Sequence, residues 1–88
     1  MKKKLLVFSA RYCGKCYSLK KRLKRLQEKK TVNFEYEIID VETDTQTKDK
    51  YFVEGIPTIV YLKDNQEIDR ISGTISKEKL IELMNRGK

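Results

Sequence analysis

The chain has no histidine, no tryptophan, a single proline and only two cysteines among its 88 residues. Without histidine there is no imidazole to accept a proton near neutral pH or to ligate a metal. A tetrahedral zinc takes about four ligands, and the absence of a third cysteine and of any histidine argues against zinc held within one chain. No apolar run approaches the roughly 20 residues of a membrane-spanning helix. The basic start, Met1-Lys2-Lys3-Lys4, is followed only by Leu5-Leu6-Val7-Phe8, which is too short for the core of a secretory leader. The expectation is a cytoplasmic protein with no membrane segment, a compartment where a lone cysteine pair is more often catalytic than structural.

What is present suits a small folded domain. Hydrophobic residues make up 39% and charged residues 38% of the chain, a balance that argues against disorder. A chain of this size buries roughly two-thirds of its unfolded surface, so residues 1–88 form one domain with one layered core. The net charge of +7 is unevenly placed: residues 1–30 hold 12 Lys or Arg against the single acid Glu28, and the remainder carries an acidic excess. The cluster Lys20-Lys21-Arg22, Lys24-Arg25 reads first as a solvated helix face and second as a field that attracts acidic partners. Nucleic-acid binding comes third, because no aromatic residues are interleaved with these helix charges to stack on bases.

Hydrophobic spacing gives the order of elements. Residues 3–8 predict a first strand, whose continuous apolar run from Leu5 to Phe8 is that of a strand covered on both faces. A helix over 14–29 places Cys16, Leu19, Leu23 and Leu26 on one stripe and its Lys/Arg face in water. Residues 33–40 alternate, with Phe34, Tyr36 and Ile38 on one side and Glu35 and Glu37 on the other, and predict a second strand. A short helix within 43–52 is capped by Thr43 or Asp44. Pro57 opens the β-branched run Thr58-Ile59-Val60-Tyr61-Leu62, a third strand. Asp64 and Asn65 make a tight turn into a fourth strand over 67–72 that carries Ile68 and Ile71 and ends at Gly73. Ser76 caps a last helix with Leu80, Leu83 and Met84 inward and Arg86 and Gly87 at its finish. The fold class is α/β, in the order β-α-β-α-β-β-α, with a four-stranded mixed sheet flanked by helices and its first two strands parallel.

Cys13-Gly14-Lys15-Cys16 stands where the first strand gives way to the first helix. A cysteine at a helix N-terminus meets unpaired N–H groups and the positive end of the helix dipole, which favour thiolate over thiol and lower its pKa below the free value of about 8.5. The thiolate is the species that attacks disulfides. A bridge closing only two intervening residues constrains little of the unfolded chain, so stability alone is a weak reason for the pair. Two packed core cysteines are the plainer alternative, poorly suited to a pair beside a glycine and a lysine.

This order, the Cys13-Gly14-Lys15-Cys16 motif and the segment Gly55-Ile56-Pro57-Thr58 together resemble the thioredoxin family over nearly the whole chain. The resemblance implies a minimal thioredoxin fold and a thiol-disulfide oxidoreductase that reduces protein disulfides. It implies Cys13 as the attacking thiolate, Cys16 as the resolving thiol, and Lys15 as added positive charge. Gly14 lets the chain turn tightly into the helix. Pro57 is expected to be cis and to face the sulfurs, leaving the backbone of Ile56 free to pair with an extended substrate. Gly73 leaves a flat surface beside it, and Tyr12 supplies a flat apolar contact where the family usually has tryptophan.

The departures from the family pattern select a branch. Only 12 residues precede Cys13, a trimming similar to that of glutaredoxins. Glutaredoxins, however, grip glutathione with an acidic pair after the hairpin, and Ser72-Gly73-Thr74-Ile75-Ser76 offers no acid. The resemblance therefore implies no bound cofactor and electrons from an NADPH-linked flavoprotein, a thioredoxin reductase, with glutathione as the alternative source. The expected partners are that reductase and disulfide-containing proteins with acidic docking surfaces, acting on a monomer. A basic adaptor without catalysis is the remaining reading. The buried aspartate that the family places six residues before the first cysteine is Val7 here, which leaves the base for Cys16 open among Lys15, water and a neighbouring carboxylate.

Overall fold

The computed structural model describes residues 2–29 and 33–86. Its elements are β1 (Lys3–Ser9), α1 (Gly14–Lys29), β2 (Glu35–Asp40), α2 (Thr45–Lys50), β3 (Thr58–Lys63), β4 (Gln66–Ser72) and α3 (Lys77–Asn85). The four strands lie in the order β2-β1-β3-β4. β1 pairs in parallel with β2 and antiparallel with β3, and β3 pairs antiparallel with β4. This is the α/β arrangement expected from the sequence, with α1 as the crossover between parallel neighbours. No helix among the described residues is long and apolar enough to cross a membrane.

The central position of β1 explains its unbroken apolar run, since both of its faces are covered. Leu5 and Val7 pack with Ile59 and Tyr61 of β3 into a cluster that also holds Leu19 and Leu23 of α1 and Leu80 and Leu83 of α3. Leu6 and Phe8 face the other way, against Ile39, Val53, Val60 and Leu62. Each fully buried leucine contributes about 1.5–3 kcal/mol of transfer free energy. α1 forms because residues 15–29 contain no glycine, proline or β-branched side chain, and its buried stripe is Cys16, Leu19, Leu23 and Leu26. α3 starts at Ser76, whose Oγ accepts a hydrogen bond from the Lys79 N–H at 3.2 Å.

Several boundaries differ from the sequence expectation, each for a tertiary reason. β2 starts at Glu35 because its pairing with β1 begins at Lys4 and Glu35, so Asn33 and Phe34 precede the ladder. Phe34 is buried, yet Ile38, expected on the same side, is 38% exposed at the sheet edge. α2 is shorter than 43–52 and is capped by Asp44, whose carboxylate accepts from the Thr47 N–H at 3.1 Å and the Thr47 hydroxyl at 2.7 Å. It stops as Phe52 takes a φ of 53°. In the β3–β4 hairpin, Asp64 and Asn65 both have positive φ, as a two-residue primed turn requires. A register shift follows: Tyr61 pairs with Asp69 and Leu62 with Glu67, so Ile68 is the extra residue of a bulge and lies exposed while Ile71 packs on the core. The expected finish of the last helix at Gly87 lies outside the described residues.

Candidate active site

The chain leaves β1 at Ser9, turns through Ala10 to Tyr12, and enters α1 at Gly14. The Tyr17 N–H donates to the Cys13 carbonyl at 3.1 Å, closing the first turn of the helix, so Cys13 occupies the capping position. Its sulfur then does what a serine or aspartate oxygen does at other helix starts: the backbone N–H of Cys16 donates to Cys13 Sγ at 3.2 Å. The two cysteines are joined as a disulfide with Cα atoms 5.2 Å apart. Their surroundings are unequal. Cys16 lies on the buried stripe of α1 at 1% exposure, whereas Cys13 is partly open to solvent.

Two further segments reach the same end of the sheet. Phe8, near the end of β1, is in register with Thr58 at the start of β3, and Thr58 is in register with Ser72 at the end of β4. The Ile56–Pro57 peptide bond is cis. Pro57 itself is buried, and Ile56 before it is 36% exposed. The Gly73 N–H donates to the Pro57 carbonyl at 3.0 Å, which ties the residue after β4 to the proline loop. The Thr58 hydroxyl closes the loop from inside by donating to the Gly55 carbonyl at 2.6 Å. Gly73 has a φ of 85°, a conformation that a side chain disfavours, and the space around its α-carbon is open.

The remaining expected site residues are placed as follows. Tyr12 is 92% exposed and Lys15 is exposed on the first turn of α1. Gly14 does not carry the tight turn expected of it: its φ is not positive, it is the first residue of the helix, and a side chain there would meet open space. Val7 is fully buried within the apolar cluster. Ser9 and Thr58 are the buried polar residues among those described, so no buried acid stands in for the missing aspartate. No group of metal-ligating side chains occurs among the described residues.

Sequence reasoning missed two contributors. Arg70 donates to the Tyr51 carbonyl at 2.8 Å and makes a two-pronged contact with Glu67, which anchors the segment leading to Pro57. Tyr17, next to Cys16, is 61% exposed with the Lys21 ammonium 4.7 Å from its ring centre. The helix charges therefore do have an aromatic among them, contrary to the linear reading; the spacing of four residues between Tyr17 and Lys21 was the available signal. Phe52 is 83% exposed.

A strand-loop-helix with a capping cysteine, a buried second cysteine and a cis-proline loop at one end of a four-stranded sheet is a dithiol site on a recognisable scaffold. The family model described as Thioredoxin matches residues 1–86. The chain belongs to the thioredoxin family. A thioredoxin from Bacillus subtilis is 34% identical over 79 residues, covering 90% of this chain and 76% of that protein. Among solved structures, a mutant thioredoxin from Halobacterium salinarum aligns with a TM-score of 0.86 at 27% identity, over 93% of this chain and 71% of that one. A thioredoxin from Fasciola hepatica aligns with a TM-score of 0.84 at 30% identity, over 99% of this chain and 82% of that one. As a member of the thioredoxin family the protein is a thiol-disulfide oxidoreductase with a redox-active cysteine pair, and the glutaredoxin and adaptor readings are not the ones these matches support.

Proposed function

We propose that Cys13 is the attacking thiolate and Cys16 the resolving thiol in the reduction of partner protein disulfides. The observation that carries this assignment is the Cys16 N–H aimed at Cys13 Sγ, together with the burial of Cys16 and the partial exposure of Cys13. A donor on that sulfur and the positive helix terminus both favour negative charge at Cys13. Lys15 adds positive charge on the same turn. In the reduced protein, Cys13 gives up its proton to solvent and its sulfur bonds to one sulfur of the partner disulfide, whose other sulfur departs as a thiolate and takes a proton. Cys16 then loses its proton to water, since no acid is buried among the described residues. Its sulfur attacks Cys13 Sγ, the intramolecular disulfide closes, and the second partner sulfur leaves as a thiol. Two electrons and two protons pass from the dithiol to the partner.

The proline loop and the Gly73 turn flank this exchange. The exposed Ile56 offers backbone to an extended substrate strand, Pro57 fixes the shape of the loop, and Gly73 keeps the neighbouring surface flat. Tyr12, exposed immediately before Cys13, is the apolar contact on the other side. The oxidised pair is re-reduced by an NADPH-linked thioredoxin reductase, with no cofactor resident on the chain, which acts as a single-domain monomer in the cytoplasm. The absence of an acid in residues 72–76 supports the reductase over glutathione as the electron source. The test supplies the purified protein with each donor in turn and follows reduction of insulin. Faster turnover with the reductase is expected, and a clear preference for glutathione would overturn the assignment of donor.

A further inference from the structure

A groove of about 320 Å³ runs between α1 and the edge strand β2, lined by Tyr17, Lys20, Lys21, Lys24, Tyr36 and Ile38. Its floor is apolar and its rim is cationic. Ile38 is in register with the fully buried Val7, yet remains 38% exposed. None of the three lysines is paired with a carboxylate among the described residues, and the Lys21 ammonium sits over the Tyr17 ring instead. Tyr17 follows Cys16 directly in sequence and its N–H donates to the Cys13 carbonyl at 3.1 Å, so this lining residue belongs to the first turn of the helix that carries the redox pair.

We propose that this groove docks an acidic segment of the disulfide protein that the cysteine pair reduces, with aliphatic or aromatic side chains on Tyr36 and Ile38 and carboxylates against Lys20, Lys21 and Lys24. The inference rests on the disulfide-exchange reading above and adds to it a contact surface outside the proline loop. Charge complementarity selects the occupant: residues 1–30 carry 12 basic side chains and one acid, and the groove is built from that part of the chain together with the half-buried Tyr36 and the exposed Ile38 of β2. A nucleic-acid backbone has no use for the apolar floor, and one face of the Tyr17 ring already carries the Lys21 ammonium. The opposite flank of α1 supplies an internal comparison. There Arg22, Arg25, Lys29 and Lys77 surround a more strongly charged hollow with Leu26 as its apolar lining.

The test uses two synthetic disulfide-bridged peptides, one with a tail of alternating Glu and Leu and one with Lys in place of Glu, and the neutral hydroxyethyl disulfide as a substrate too small to span the groove. Lys21→Glu with Lys24→Glu, both at exposed positions, should lower kcat/KM for the acidic peptide at low salt by about tenfold and raise it for the basic one. Arg25→Glu with Lys29→Glu makes the same change in net charge off the groove and should cost less than about twofold. Ile38→Ser should lower kcat/KM for the acidic peptide, with circular dichroism confirming the fold, and hydroxyethyl disulfide should be reduced at an unchanged rate throughout. Equal losses from the two charge pairs, no loss from the groove pair, or an equal loss with hydroxyethyl disulfide would overturn the docking assignment. So would binding of a single-stranded oligonucleotide that Lys21→Glu with Lys24→Glu abolishes while the peptide rates stay put, which would give the face to nucleic acid. Failure of the unaltered protein to reduce even hydroxyethyl disulfide would sink the exchange reading itself, and this inference with it.

Discussion

The backbone N–H of Cys16 points at the sulfur of Cys13 from 3.2 Å, so under the roles proposed above the resolving residue also supports the charge on the attacking sulfur. One helix start supplies both effects, because the capping position and the third helical residue are the two ends of a single capping hydrogen bond. The spacing of the motif is thus the spacing of a cap.

The two thiols should separate cleanly by reactivity. In the reduced protein, Cys13 should be alkylated much faster than Cys16 near neutral pH, since it has both the N–H donor and access to solvent. Mass spectrometry of single-cysteine variants reads the order directly. Cys16→Ser should accumulate a stable mixed disulfide with substrate and Cys13→Ser should form none; faster labelling of Cys16 would invert the two roles.

Gly73→Ala should leave the fold intact and cost about 1 kcal/mol, because the penalty is confined to a backbone at φ 85° with no atom nearby for the new methyl to strike. The methyl would stand on the surface beside the proline loop. KM for a protein disulfide should therefore rise with kcat little changed, as measured by steady-state insulin reduction, whereas unchanged kinetics would remove Gly73 from the substrate face.

Val7→Asp restores an acid at the family's position but sets it in a fully buried apolar cluster. An ionised carboxylate without a partner there should cost about 3–5 kcal/mol. The group will stay protonated in the folded state to higher pH than its unfolded value of about 3.9. Folding then binds a proton, so the deficit should grow as pH rises above 4. Urea denaturation at several pH values checks both the size and the slope.

Asp44 caps α2, and hydrogen bonds from the Thr47 side chain and then its backbone N–H hold its carboxyl below the ordinary 3.8. A depressed folded value means that the cap contributes stability above the unfolded pKa and loses it as pH falls through the folded one. Asp44→Ala should accordingly lower Tm at pH 7, and the gap from the unaltered protein should close as the pH drops below about 4. A gap that persists unchanged in acid would mean that the ionised carboxylate is not what caps α2.

Much of this molecule can be read from its order of residues. The bounds of α1, the Ser76 cap of α3, the hairpin at Asp64-Asn65 and the helix-start position of Cys13 all follow from neighbours a few residues apart. Capping, turn geometry and helical periodicity are local effects, which is why a linear reading reaches them. The position of Arg70 on the Tyr51 carbonyl was invisible, because that contact depends on the packing of β4 against the segment before Pro57. The bulge at Ile68 was equally hidden, since it arises from the register between two strands.

The sequence by itself determined that the chain alternates strands and helices and that a cysteine pair opens the first helix. Only the tertiary structure decided that β2 is an edge strand, leaving Ile38 open beside Lys21 while Phe34 is buried, and that Gly73 closes onto Pro57 across β3 and β4. The physical reason is range. A residue's burial and partners depend on which strands lie next to each other, and that is set by the joint packing of the whole core over separations that no local periodicity records.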